Sequence, residues 1–158
     1  MNGHMNWHGN RHADGDPPPD LLVLVQIFAK DRILLIKRGI DPYSGKWAPP
    51  GGFVERGELP EHAATREVRE EVQLDLEPGQ LLPHSVILLP WLNQTYHVFI
   101  ACLPEMLPAR AVPPESIEVG WFSKDELARI EMWDPDTVLN TTVLFDRLPS
   151  PPRTPECG

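Results

Sequence analysis

The chain has 158 residues, 41% hydrophobic and 23% charged, the proportions of one soluble globular domain with a substantial core. A formal net charge of −9 argues against a general nucleic-acid surface, because phosphate backbones demand clustered Lys and Arg. No apolar run reaches the roughly 18–20 residues that span a bilayer, the first residues show no basic-then-apolar signal pattern, and Cys102 and Cys157 are too few for a disulfide framework. The expectation is a cytoplasmic protein with no membrane and no nucleic-acid polymer as partner.

Residues 1–19 are rich in Gly, Asn, His, Asp and Pro and read as a flexible tail. His4, His8 and His12 have helical spacing, but Gly3, Gly9 and the asparagines oppose a helix there, so no metal site is expected. Residues 21–29 form an apolar run that reads as a buried strand. Lys30-Asp31 makes a turn, and 32–37 returns as the second arm of a hairpin. A loop over 38–45 follows, and Trp47 reads as a packing anchor.

The stretch 51–74 carries six glutamates and dominates the chain. Two prolines and two glycines, Pro49 to Gly52, make a rigid turn whose backbone can approach a ligand closely. Pro60 suits the first turn of a helix, and 61–72 contains neither Gly nor Pro. At about 100° per residue, Glu67, Glu70 and Glu71 share one arc. Ala64, Val68 and Val72 share a neighbouring arc that can face a core. Carboxylates crowded on one face repel unless a cation sits among them, and hard divalent cations take oxygen ligands together with substrate phosphates. The plainer reading is a solvated acidic helix with pairs such as Arg66–Glu70.

Beyond the helix, Pro78-Gly79 marks a turn, and strands are expected over 86–91 and 95–103. His97 reads as structural and Cys102 as a small buried residue. A proline-punctuated loop leads to a short strand over 118–122. Ser123 then caps a helix, with Glu126 at capping-box spacing. A final helix is expected over 137–148 and a Pro-rich tail over 149–158, leaving a single domain over 20–148.

Gly52, five residues, Glu58, seven residues, then Arg66-Glu67-Val68-x-Glu70-Glu71 and Leu74 resembles the Nudix box. The likeness extends upstream through Leu35 to Gly39 and Gly45-Lys46-Trp47, and downstream to Glu118-Val119-Gly120-Trp121-Phe122. One box position departs, with Gln73 in place of glycine at the helix end. The resemblance implies an α/β fold, an α/β/α sandwich around a central mixed β-sheet. It implies a pyrophosphohydrolase that uses Mg²⁺ or Mn²⁺ to split a nucleoside diphosphate linked to another moiety. Its metal site would comprise the Gly51 carbonyl with Glu67, Glu70 and Glu71. One of these carboxylates, or a downstream acid such as Glu118, would activate water. Gly52, Glu58 and Arg66 would be structural, with Arg66 locking the helix to Glu58, and Lys37 or Arg38 would reach phosphate.

Two substrate classes remain open. The run from Lys37 to Glu55, with Pro90, looks like ADP-ribose pyrophosphatases. Glu131 to Asp136 looks like hydrolases of oxidised purine nucleotides, with Trp133 stacking on the base and Asp134 and Asp136 reading its edge. Trp133 as a plain packing anchor is the competing reading. The alternative to an enzyme is a non-catalytic nucleotide-binding or regulatory module, disfavoured because every box carboxylate is present. A monomer or a homodimer fits equally.

Overall fold

In the computed structural model, residues 19–133 are described, so the expected final helix over 137–148 and both tails lie outside the described residues. Seven strands form one mixed sheet: β1 (Asp20–Ala29), β2 (Arg32–Arg38), β3 (Trp47–Ala48), β4 (Gly51–Phe53), β5 (Leu82–Leu89), β6 (Gln94–Leu103) and β7 (Ser116–Ser123). Among the described residues two α-helices accompany them, α1 (Pro60–Val72) and α2 (Lys124–Leu127). This is the expected α/β architecture. The apolar run of β1 is explained by its burial on both faces.

β1 runs parallel to β6 along its whole length, from Asp20 opposite Gln94 to Ala29 opposite Leu103. Its other edge is divided. The expected hairpin with β2 is joined only at Phe28–Ala29, around Lys30 with φ +56°, and the start of β1 pairs instead with β4. β1 and β2 therefore splay apart, and the glycine turn enters the gap between them. β2 continues outward to β3 and β7.

α1 follows from its composition: Pro60 in the first turn, no breaker through Val72, and Ala63, Ala64, Val68 and Val72 fully buried. These pack on Val23, Val25, Ile27, Phe99 and Ala101 of one sheet face. Each buried valine contributes about 1.5–3 kcal/mol of apolar burial. The opposite face is covered by Leu127 of α2 and by Met132 and Trp133. Gln73 sits at φ 59°, ψ 36°, left-handed, with its N–H donating to the Arg69 carbonyl. The backbone keeps the conformation for which glycine is suited while carrying a side chain.

Several boundaries differ from the sequence reading. The strand expected over 86–91 occupies Leu82–Leu89, because Pro90 has no N–H to continue the ladder and opens a 3₁₀ turn over Pro90–Leu92. Asn93 at φ 51° closes that turn. The strand expected over 118–122 runs from Ser116 to Ser123, since it pairs with β2 along its length. Ser123 caps α2 with the expected reciprocal bonds to Glu126. Trp47 packs edge-on against Phe122 with ring centroids 4.8 Å apart. Cys102 is disulfide-bonded, not the simple buried thiol expected. No helix among the described residues is long and apolar enough to cross a membrane.

Candidate active site

The glycine turn and α1 build one end of a cleft of about 370 Å³. The Gly51 N–H donates to Glu71 Oε1 at 2.8 Å, tying the turn to the helix. A Cβ on Gly51 would strike the Val23 carbonyl, and one on Gly52 would strike the Glu67 carboxylate. Gly51 therefore requires the absence of a side chain, because backbone blocks it, and Gly52 is what leaves the Glu67 carboxylate its present place facing the cleft.

Arg66 holds the loop before the helix. Its Nε and Nη2 donate to the two oxygens of Glu58 at 2.8 and 2.9 Å, and Nη2 also donates to the Phe53 carbonyl. Nη1 donates to Glu67 Oε1 at 2.9 Å and Glu70 Oε1 at 2.8 Å. These bonds hold the Glu58 carboxyl below the usual carboxylate range, with Arg66 the main cause, and raise the Arg66 guanidinium. Arg66 is thus an internal clamp with its donors turned toward this loop and helix.

The three glutamates sharing an arc have different surroundings. Glu67 and Glu71 are buried and line the cleft, while the Glu70 side chain is 51% exposed and rests on Arg66. The third acid near the buried pair is Glu115, just before β7; Glu67, Glu71 and Glu115 offer carboxylate oxygens all within 4.8 Å of one another. Glu118 stands opposite Lys37 in the β2–β7 ladder and accepts from its Nζ at 3.1 Å. The structure therefore brings Glu67 and Glu71 together as expected and leaves Glu70 and Glu118 outside the cluster. Starting β7 at 118 concealed Glu115; an acid placed directly before a strand that begins at Ser116 would have pointed to it.

Burial is the main cause of the site's electrostatics. It pushes the Glu67 carboxyl up to about 7 against the pull of Arg66, with Glu70 and Glu115 adding repulsion. Burial and then the Glu67 charge push Glu71 up to about 8, opposed by the Gly51 N–H and by Arg38. Crowded, desolvated carboxylates of this kind are relieved by a proton or a cation. A hard divalent cation fits the all-oxygen donor set.

The cleft then runs to an aromatic end. Arg38 lines it, with Nε donating to the Pro42 carbonyl at 2.9 Å, whereas Lys37 is engaged by Glu118. Trp133 is placed by a short parallel bridge beside β3: its N–H donates to the Trp47 carbonyl at 2.8 Å, and the Trp47 N–H to Glu131 at 2.8 Å. It is 6% exposed, with Tyr43 edge-on at 5.4 Å and Tyr96 tilted at 5.6 Å. Trp133 is thus part of the cleft wall and a packing anchor at once, not an open stacking face. Asp134 and Asp136 lie outside the described residues. Tyr43, Gln94 and Tyr96 line the cleft without having been expected to, and His97 is not among its lining residues.

A central mixed sheet with the glycine turn leading into a glutamate helix agrees with the architecture implied by the box. A family model for the NUDIX domain matches residues 18–140, and the chain belongs to the Nudix family. An oxidized purine nucleoside triphosphate hydrolase of Danio rerio is 33% identical over 122 residues, 73% of this chain and 74% of that protein. An ADP-ribose pyrophosphatase of Methanocaldococcus jannaschii is 55% identical over 49 residues, 30% of this chain. The chain spans 29% of the length of that archaeal protein and 45% of YjhB of Bacillus subtilis, to which it is 34% identical over 100 residues. The NUDIX domain of Shewanella oneidensis NrtR, solved with ADP ribose, superposes with a TM-score of 0.71 at 16% identity, over 90% of this chain and 96% of that one. That last likeness concerns the fold alone.

Proposed function

We propose that the chain is a divalent-cation-dependent pyrophosphohydrolase that splits the phosphoanhydride of a nucleoside diphosphate linked to another group. The carrying observation is the cluster of buried Glu67 and Glu71 with exposed Glu115 at one end of a cleft whose other end is walled by Tyr43, Tyr96 and Trp133. Relatives named for hydrolysis of ADP-ribose and of oxidised purine nucleoside triphosphates support the reaction class and leave both substrate groups in play.

Glu67, Glu71 and Glu115 would hold Mg²⁺ or Mn²⁺, with the Gly51 carbonyl as a further oxygen donor and Glu70 within reach if it leaves Arg66. The cation, when bound, neutralises diphosphate charge and makes water easier to ionise. Arg38 supplies fixed positive charge on the same cleft and attracts the phosphates. Arg66 keeps Glu67 aimed at the cleft through the bond to its Oε1. A carboxylate at this end of the cleft takes the proton of the attacking water, a placed base of this kind contributing about 10²–10⁴-fold. Water adds to one phosphorus, the bridging P–O bond breaks, and two phosphate-ended products leave.

The test is phosphate release from a nucleotide panel (ADP-ribose, nucleoside triphosphates and oxidised purine triphosphates) treated with phosphatase, with Mg²⁺ or Mn²⁺ and with EDTA. The expected result is cation-dependent turnover of at least one member. Binding of nucleotides without turnover of any member would assign the chain to the non-catalytic class.

A further inference from the structure

The end of the cleft away from the glutamates carries polar atoms that the pyrophosphate chemistry leaves unused. We infer that Gln94, oriented by Tyr96, hydrogen-bonds the base of the nucleotide and selects a purine bearing a 6-amino group. The inference rests on the nucleotide reading above.

Gln94 opens β6 and lines the cleft beside Leu22, Leu24 and Leu92. The Tyr96 hydroxyl donates to Gln94 Oε1 at 3.3 Å. An amide oxygen accepts two hydrogen bonds and its nitrogen donates two. With its oxygen turned to Tyr96, Gln94 still offers one acceptor site beside an N–H donor. That pair complements a ring nitrogen next to an amino group, as on adenine.

Strand register sets the span. Gly51, whose N–H holds Glu71, lies opposite Leu24 of β1, and Gln94 lies opposite Asp20. Four residues of strand separate these levels, about 13 Å along the sheet. An extended nucleoside diphosphate laid along β1 therefore puts its phosphates at the carboxylates and its base at Gln94. Beside Gln94 the lining offers the uncharged side chains Leu22, Leu24, Leu92, Tyr96 and Trp133, which suits a neutral base; besides the glutamates, the charged side chains of the lining are Arg38 and Asp41. The Trp133 indole nitrogen is buried in the same wall with no hydrogen-bond partner among the described residues. A buried donor in this state is relieved when a ligand acceptor or a rotation of the ring reaches it.

The experiment measures binding by calorimetry, with Mn²⁺, of ADP and of purine riboside 5′-diphosphate, which lacks the 6-amino group. Wild-type protein is compared with Gln94→Leu and with Gln94→Glu, which keeps size and polarity but replaces the amide donor with an acceptor. Wild-type protein is expected to prefer ADP by about tenfold, and both variants to bind the two ligands alike. For an adenine-containing substrate, KM rises about tenfold in the variants while kcat and melting temperature hold. A preference that survives in either folded variant, or wild-type protein that does not distinguish the two ligands, overturns the inference. Wild-type protein that shows the preference without turnover keeps the inference and removes the proposed activity. Turnover indifferent to the 6-amino group does the reverse.

Discussion

The two ends of the cleft differ in how their polar groups are held. At the glutamate end the turn and the helix are tied together: Gly51 to Glu71, Gly52 to the space Glu67 fills, Arg66 to Glu58, Phe53, Glu67 and Glu70. At the aromatic end the walls come from distant segments, Tyr43, Gln94, Tyr96 and Trp133, with ring packing and the Tyr96–Gln94 hydrogen bond among their contacts. The first end is a preorganised electrostatic site that tolerates little change. The second is built of separate side chains on the sheet and its flanking loops, and on the proposed reading substrate choice lies there.

Substitutions at the glutamate end should therefore produce the largest effects. Glu71→Gln and Glu67→Gln keep shape but remove a buried charge from the cation's donor set, and turnover should fall at least about a hundredfold with the fold intact. Glu70→Gln should cost less than either, because Glu70 is half-exposed and paired with Arg66. Steady-state rates with Mg²⁺ for the three variants decide this; a Glu70 effect equal to that of Glu71 would place Glu70 inside the working cluster. Gly52→Ala should lower turnover by about tenfold or more, since its Cβ takes the position of the Glu67 carboxylate.

The glutamate end was legible in the sequence because its spacing is local. A helix of known pitch brings Glu67, Glu70 and Glu71 to one side, and Gly51-Gly52 announces a close backbone approach. Pitch alone does not say which acids are buried. Glu70 was drawn to the surface by Arg66, and the third member, Glu115, lies 44 residues beyond Glu71 and reaches it only through the β2–β7 register. The aromatic end was poorly legible for the same reason carried further. Gln94 and Tyr96 enter the cleft because β6 runs parallel to β1, a long-range pairing that no local pattern reveals. Trp133 reads from the sequence either as a stacking surface or as a packing anchor, and the backbone bridge to Trp47 seats it in the wall.

Titration sharpens the contrast at an intermediate scale. In the metal-free protein Glu67 and Glu71 sit at about 7 and about 8, above their ordinary 4.5. Between these values the folded chain holds more protons than the unfolded one, so their contribution to stability falls as pH rises from about 4.5 to about 8. Cation binding needs both groups ionised, and it strengthens over the same window. The rise in melting temperature on adding Mn²⁺ in place of EDTA should thus be larger at about pH 8.5 than at about pH 5.5. Equal rises would contradict the burial of this pair. The smallest effect lies outside the cleft. Gln73→Gly relieves a left-handed side chain and should stabilise by about 0.5–1 kcal/mol, the strain relief exceeding the added freedom of the unfolded chain. Denaturant unfolding measures it, and a lower midpoint would mean that the Gln73 side chain contributes more than its backbone costs.

We propose that Glu67, Glu71 and Glu115 together hold the divalent cation. The most direct test is a calorimetric titration of Mn²⁺ into wild-type protein and the variants Glu71→Gln, Glu115→Gln and Glu118→Gln. The expected results are saturable binding to wild-type protein with release of protons at about pH 7, loss of that binding in Glu71→Gln, clear weakening in Glu115→Gln, and no change in Glu118→Gln, whose partner is Lys37. Unaltered Mn²⁺ affinity in both Glu71→Gln and Glu115→Gln would contradict the proposal.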